Sequence, residues 1–224
     1  MRVLALSDEE SKYYYDYYTP GMLDEFDLIV ACGDLRPGYL DFIASMARCP
    51  LVCVPGNHDA WYQKEPPGGW IDADGKLVKV KGLRIVGLGG SIRYREGPNQ
   101  YTERQMARRA RRLRRALRKA GGFDLLLAHS PARGLNDLDS PTHKGFECFN
   151  KLLDAYRPSC FVHGHVHSSY AVHVPQFCQH NGTLVVNACG HAAFELEGRR
   201  QEAGSRRQEA GGICRGASRS ARSV

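Results

Sequence analysis

No Cys-x-x-Cys pair occurs in this sequence, although it holds eight cysteines, at positions 32, 49, 53, 148, 160, 178, 189 and 214. Most lie inside apolar runs. They read as reduced, small buried side chains of a cytosolic protein, not as a zinc cage or a disulfide framework. Long apolar runs are also missing. None approaches the roughly 20 residues a membrane helix needs, which excludes a helical span. The first run, Val3 to Leu6, is too brief for a signal-peptide core and meets acids at once, so no export is expected. A basic body is absent too. The net charge of +7 comes from two places, a tail from Arg199 onward that carries +5 and the stretch 103–119 that carries +8. The remaining residues are net acidic, which removes the argument from overall charge to nucleic-acid binding.

What is present is 42% apolar and 25% charged, the balance of a globular protein of one domain with an appendage. Short apolar runs at Val3–Ser7, Leu28–Ala31 and Leu51–Val54 read as buried strands, with a helix over Pro37–Ala47. Lys76–Val80 and Leu83–Leu88 read as a hairpin joined by Lys81-Gly82. A long helix is expected from Thr102, its N-cap, to Ala120, stopped by Gly121-Gly122. Then come a strand at Asp124–Ala128, a helix at Gly145–Tyr156, and strands at Cys160–Val162, Tyr170–Val174, Leu184–Asn187 and Ala192–Leu196. The order predicts an α/β protein with a mixed sheet or two packed sheets. From Gly198 the sequence changes: Arg-Arg-Gln-Glu-Ala-Gly at 199–204 recurs at 206–211, among Gly, Ser, Ala and Arg. Such a segment cannot bury a core. The expectation is a catalytic domain over 1–197 and a disordered basic tail over 198–224.

The residues after the strands carry the chemistry. Val3–Ser7 is followed by Asp8-Glu9-Glu10, Leu28–Ala31 by Cys32-Gly33-Asp34, and Leu51–Val54 by Pro55-Gly56-Asn57-His58-Asp59. Asp124–Ala128 is followed by His129, and Cys160–Val162 by His163-Gly164-His165-Val166-His167. Ligands bind in the crevice at the carboxyl ends of strands in open α/β sheets. Carboxylates converging there repel unless a cation joins them, and mixed oxygen and nitrogen ligands suit Mn, Fe, Zn, Ni or Co.

In this order the motifs resemble the calcineurin-like metallophosphoesterases, whose pattern is Asp-x-His, Gly-Asp, Gly-Asn-His-Asp/Glu, a lone His, then Gly-His-x-His. Val186-Asn187-Ala188-Cys189-Gly190 resembles the family's closing Asn-x-Gly region, so the resemblance covers all but the tail. It implies two packed, mostly mixed β-sheets flanked by helices, a four-layer α/β/β/α sandwich. It implies two divalent metals, with Asp34 bridging them. Asp8 and His167 complete one site with the residue at position 10, and Asn57, His129 and His165 complete the other. His58 is then the catalytic residue near the leaving group, with Asp59 orienting it. The implied reaction is in-line attack of a metal-activated hydroxide on phosphorus.

One departure matters. The family's Asp-x-His reads Asp8-Glu9-Glu10 here. As a metal ligand, Glu10 would put an oxygen where the family has a nitrogen, favouring a harder ion such as Mn²⁺. Otherwise it salt-bridges or faces solvent, and one metal site is crippled. Glu9 is expected to point away by strand alternation. On the helix over 103–119, Met106, Ala110, Leu113 and Leu117 form one apolar stripe, leaving Arg108, Arg109, Arg111, Arg112, Arg115 and Arg118 for solvent or for an acidic partner. The tyrosines at 13, 14, 15, 17 and 18 and the Trp61-Tyr62 pair either pack in the core or line the cleft. Arg133, His143 and Lys144 are candidates for contacting a phosphate.

The reading that follows is a cytosolic phosphodiesterase or phosphatase acting on a small, nucleotide-like phosphoester. A nuclease using the arginine-rich helix and a catalytically silent protein-interaction scaffold are the alternatives. The oligomeric state is not legible.

Overall fold

The computed structural model describes residues 1–167 and 174–197. Most of the strand expected at 170–174 and all of the basic tail lie outside the described residues.

The chain begins with β1 (Arg2–Ser7) and β2 (Leu28–Ala31), then α1 (Pro37–Met46) and β3 (Leu51–Cys53). A 3₁₀ turn over Ala60–Gln63 leads to the short β4 (Ile71–Asp72) and the hairpin of β5 (Leu77–Val80) and β6 (Leu83–Leu88). Two further short strands, β7 (Ser91–Ile92) and β8 (Gln100–Tyr101), pair with each other. Next come α2 (Glu103–Arg112), α3 (Arg114–Ala120), β9 (Leu125–Ala128), α4 (Glu147–Tyr156) and β10 (Cys160–His163). The described residues close with β11 (Phe177–His180), β12 (Thr183–Asn187) and β13 (Gly190–Glu195).

Two mixed sheets result. One runs β13-β1-β2-β3-β4, parallel except for β13. The other runs β11-β12-β10-β9-β6-β5, parallel in its middle and antiparallel at both edges. Alternation along the strands explains the layering. Val3, Ala5, Leu28 and Val30 of the first sheet meet Ile85, Leu125, Leu127 and Val162 of the second in one core between the sheets. The intervening Leu4, Leu6, Ile29 and Ala31 face outward under α1 with Tyr39, Leu40 and Ile43. Leu126 and Phe161 face outward under α2, α3 and α4. Strands buried on both faces read as continuous apolar runs, which is why they stood out in the sequence. The arrangement is the four-layer α/β/β/α sandwich.

The arginine-rich helix is two helices, bent at Leu113, whose backbone N–H turns back to Ala110 and Arg111. Thr102 caps its start: its side chain accepts from the Gln105 backbone N–H, while the Gln105 side chain accepts from the Thr102 N–H. Gly121, at φ +70°, ends it. Met106, Ala110, Leu113 and Leu117 are all buried. Arg109 departs from expectation. It is turned inward, with Nη2 2.6 Å from each Asp74 carboxylate oxygen and Nη1 donating to the Gly89 carbonyl. The mostly acidic body supplies an internal partner for one arginine of the run, while Arg108, Arg111, Arg112, Arg115 and Arg118 stay exposed.

Of the tyrosine tract, Tyr14, Tyr15 and Tyr18 pack around Phe26, Tyr39 and Phe42, and Tyr13 and Tyr17 face solvent. No described helix is long and apolar enough to cross a membrane. The seven described cysteines are unpaired thiols.

Candidate metal centre

The parallel strands β1, β2 and β3 of one sheet and β9 and β10 of the other release their carboxyl ends at the same edge of the sandwich. The loops there are bonded to one another. The Asp8 N–H donates to the Gly33 carbonyl at 3.1 Å, and the Gly164 N–H to the His129 carbonyl at 2.9 Å. Two links cross between the sheets: the His165 N–H donates to Asp8 Oδ2 at 2.8 Å, and His129 Nδ1 meets the Cys32 carbonyl at 2.8 Å. Such closeness needs residues without side chains. A β-carbon on Gly164 would lie 1.9 Å from Ser7 Oγ, and one on Gly56 would lie 2.0 Å from Asp34 Oδ1.

Asp8, Asp34 and His165 have φ of +63°, +57° and +68°. Non-glycine residues rarely adopt this left-handed conformation, and where they do the surrounding structure imposes it, most often at functional sites. Here the turns aim three side chains into one volume. One carboxylate oxygen each of Asp8 and Asp34 and one ring nitrogen of His129 lie within 4.8 Å of one another.

The remaining polar groups hold this cluster in register. His129 Nδ1 donates to Cys32, so Nε2 is the nitrogen that faces Asn57 Oδ1 at 3.0 Å and Asp34 Oδ2 at 3.4 Å. Asn57 Nδ2 donates to the Tyr94 hydroxyl at 3.3 Å, which turns its Oδ1 toward His129. His165 Nε2 donates to the Thr142 carbonyl at 2.7 Å, leaving Nδ1 as its lone-pair nitrogen. Asn187 donates from Nδ2 to the Val166 carbonyl at 2.8 Å and so anchors the Gly-His-Val-His segment. His167 Nε2 lies 3.6 Å from Asp8 Oδ1.

The electrostatics are those of a site built for positive charge. Burial alone would lower the pKa of His129, but the Asp34 carboxylate outweighs it and raises the ring to about 9. Burial would raise Asp8, but His167, His129 and the Ser7 hydroxyl hold it at about 2. His167 is pushed up to about 11, chiefly by Asp8. Burial drives His165, with no carboxylate on its ring, down to about 3, leaving it neutral and able to ligate. Buried carboxylates, an amide oxygen and imidazole nitrogens, two of them on rings that would give up a proton to a cation, are a donor set that fits a divalent ion.

Other candidates sit differently. His58 is mostly exposed, its Nε2 4.0 Å from Asp34 Oδ2, and it lines both clefts beside the cluster. The larger cleft, about 460 Å³, is walled by Arg36, Trp61 and His167, and the smaller, about 180 Å³, by Tyr94, Thr142, His143 and His165. Asp59 does not orient His58. Its Oδ2 accepts the backbone N–H groups of Gly56 at 2.7 Å and Asp34 at 2.8 Å, tying two of the loops together. Arg133 is held by Asp137 and Asp139, and neither it nor the exposed Lys144 lines either cleft.

Of the three acids of the first loop, Asp8 stays in the cluster, while Glu9 and Glu10 sit differently from expectation. Glu10 leaves the cluster and grips Arg36 with both oxygens, Nε donating to Oε1 at 2.5 Å and Nη2 to Oε2. Glu9, itself exposed, lies against the outer edge of the His167 ring, Oε1 3.0 Å from Nδ1. Strand alternation does not reach these residues because β1 ends at Ser7. The left-handed Asp8 and a tight turn, Glu9 N–H to Ser7 carbonyl at 2.6 Å, reverse the faces. Likewise, His165 and His167 share the smaller cleft through the turn at His165, not through an extended segment. Tyr94, Thr142 and Arg36 carried no sequence signal. Tyr94 lies in a loop, Thr142 acts through its carbonyl, and Arg36 is recognisable only through its ion pair.

The calcineurin-like phosphoesterase profile matches residues 1–169. This chain belongs to the calcineurin-like phosphoesterase family. It is 24% identical over 213 residues to the uncharacterized protein MJ1162 of Methanocaldococcus jannaschii, covering 87% of this chain and 90% of that one. The crystal structure of TT1561 of Thermus thermophilus superposes with a TM-score of 0.59 at 16% identity, over 84% of this chain and 88% of the other. GAP50, described as the anchor in the inner membrane complex of Plasmodium, superposes at 0.50 and 12% identity, over 84% and 70%. These structural likenesses are ones of fold. Within the phosphoesterase family, the departure at Glu10 stands out more sharply, because the structure pairs that residue with Arg36.

Proposed function

We propose that this chain is a phosphoester hydrolase working with two divalent cations, on a small, nucleotide-like phosphodiester. The observation that carries the reading is the convergence of Asp8, Asp34 and His129 within 4.8 Å, at the strand ends of a chain from this family. In this reading Asp34 is shared between the cations. Asp8 and His167 belong to one site, and Asn57, His129 and His165 to the other. When bound, the cations would offset negative charge on the phosphoryl group and make a water molecule more acidic. With Glu10 held by Arg36, the set is three oxygen donors and three imidazoles, a mixture that suits Mn, Fe, Zn, Ni or Co.

The chain's own groups do the rest. Cys32 and Thr142 fix the tautomers of His129 and His165 through their carbonyls, and Tyr94 orients the Asn57 amide. Exposed His58, beside the cluster, is free to rotate toward a leaving oxygen and donate a proton or hydrogen bond. A cleft of about 460 Å³ with Trp61 on its wall fits a small ligand carrying a flat group.

A scaffold without turnover is the second reading, favoured by the absence of the family's histidine at position 10. Metal content measured together with turnover of bis-p-nitrophenyl phosphate in Mn²⁺ separates the two. Two metals and turnover support the hydrolase. Metal without turnover across cyclic nucleotides, phosphomonoesters and oligonucleotides supports the scaffold. Salt-sensitive cleavage of single-stranded nucleic acid would instead assign the exposed arginines of α2 and α3 to a nuclease.

A further inference from the structure

We infer that Glu9 is a positioning residue for the first metal site, where it orients the His167 ring. The inference rests on the two-metal reading above.

His167 presents its two ring nitrogens to different carboxylates. Nε2 points to Asp8 Oδ1 at 3.6 Å, on the side of the cluster. Nδ1 points to Glu9 Oε1 at 3.0 Å, on the outer side. An imidazole cannot hold a cation and a proton on one nitrogen. With Nε2 on the metal side, Nδ1 keeps its proton and donates it to Glu9. A carboxylate in this place fixes the tautomer, stops the ring from flipping and makes the metal-facing nitrogen more basic. The first site needs that help. Its remaining side chains are Asp8, Asp34 and His167, since Glu10 is held by Arg36.

The Cys189 thiol also lies at this place. Its sulfur, a Glu9 oxygen and a His167 nitrogen lie within 4.8 Å of one another. The thiol is a weak hydrogen-bonding partner and the carboxylate a strong one, so Glu9 is assigned the orienting role. The left-handed turn at Asp8 explains how the adjacent acid reaches the ring: it sends the Glu9 and Glu10 side chains to the faces opposite those of a continuing strand.

The test is Zn²⁺ titration of the full chain by calorimetry, with ¹⁵N NMR of the His167 ring. Wild type is expected to take up two Zn²⁺, with Nε2 metallated and Nδ1 protonated. Glu9→Gln is expected to weaken one of the two binding steps by about 10- to 100-fold and leave the other unchanged. Because Glu9 is exposed, this variant is expected to fold normally. Glu10→Gln and Cys189→Ser are expected to match wild type in both steps. Zinc found on Nδ1, equal affinities in Glu9→Gln and wild type, or a larger loss in Cys189→Ser than in Glu9→Gln each overturns the inference. Failure of wild type to bind two Zn²⁺ instead overturns the metal reading on which it rests.

Discussion

Arg36 and Glu10 form a two-pronged ion pair at the rim of the cleft, with the guanidinium largely in solvent. The pair occupies the residue that stands where the family has a metal-binding histidine. Exposed pairs contribute roughly 0–1 kcal/mol. Glu10→Gln is therefore expected to leave the metal-to-protein ratio unchanged and to leave the urea midpoint close to that of wild type. Elemental analysis and urea melts check this. A drop of one metal per chain would return Glu10 to the ligand set.

Asp59 joins the loops after β2 and β3 by accepting two backbone N–H groups through one oxygen. It is 4% exposed, so water cannot replace it readily. Asp59→Ala orphans both donors and is expected to cost about 2–4 kcal/mol, from roughly 1–3 kcal/mol per stranded group with partial relaxation. Denaturant unfolding measures it. A loss below about 0.5 kcal/mol would mean that the loops hold without this tie.

Arg109 and Asp74 meet through two bonds of 2.6 Å with little solvent access. Removing one partner of a fully buried pair costs about 3–5 kcal/mol. Because both side chains retain some solvent, Arg109→Ala is expected to cost about 2–3 kcal/mol. Arg108→Ala, on the exposed face, is expected to stay within about 0.5 kcal/mol of wild type. Thermal melts of the two variants should differ accordingly, and equal melting temperatures would refute the distinction.

His58 lies beside the cluster and outside its tightest group. His58→Ala is expected to lower kcat on a phosphodiester by about 10²- to 10⁴-fold while both metals are retained. Stopped assays paired with elemental analysis check both halves. Loss of a metal would move His58 into the ligand set.

Much of this could be seen in the chain itself. The strands β2 and β6 coincide with the apolar runs Leu28–Ala31 and Leu83–Leu88, and the helix cap at Thr102 follows from its residue type and position. Strands buried on two faces and amphipathic helices advertise themselves by spacing. The short pairs β4, β7 and β8 did not, because two residues carry no periodicity. β11 was missed because its residues alternate between exposed and half-buried and offer no apolar run.

The site divides in the same way. The order of Asp8, Asp34, Asn57, His58, His129, His165 and His167 after successive strands is written in the sequence, because parallel strands must deliver their carboxyl ends to one edge. Only the tertiary structure decided what each side chain touches. Three left-handed turns, at Asp8, Asp34 and His165, set directions that strand alternation cannot predict. They send Glu10 to Arg36 and Glu9 to His167, and neighbours from distant loops select each ring's tautomer. Composition and order along the chain determine which groups arrive at the edge of the sandwich. Backbone handedness and contacts between loops far apart in sequence determine how they face one another.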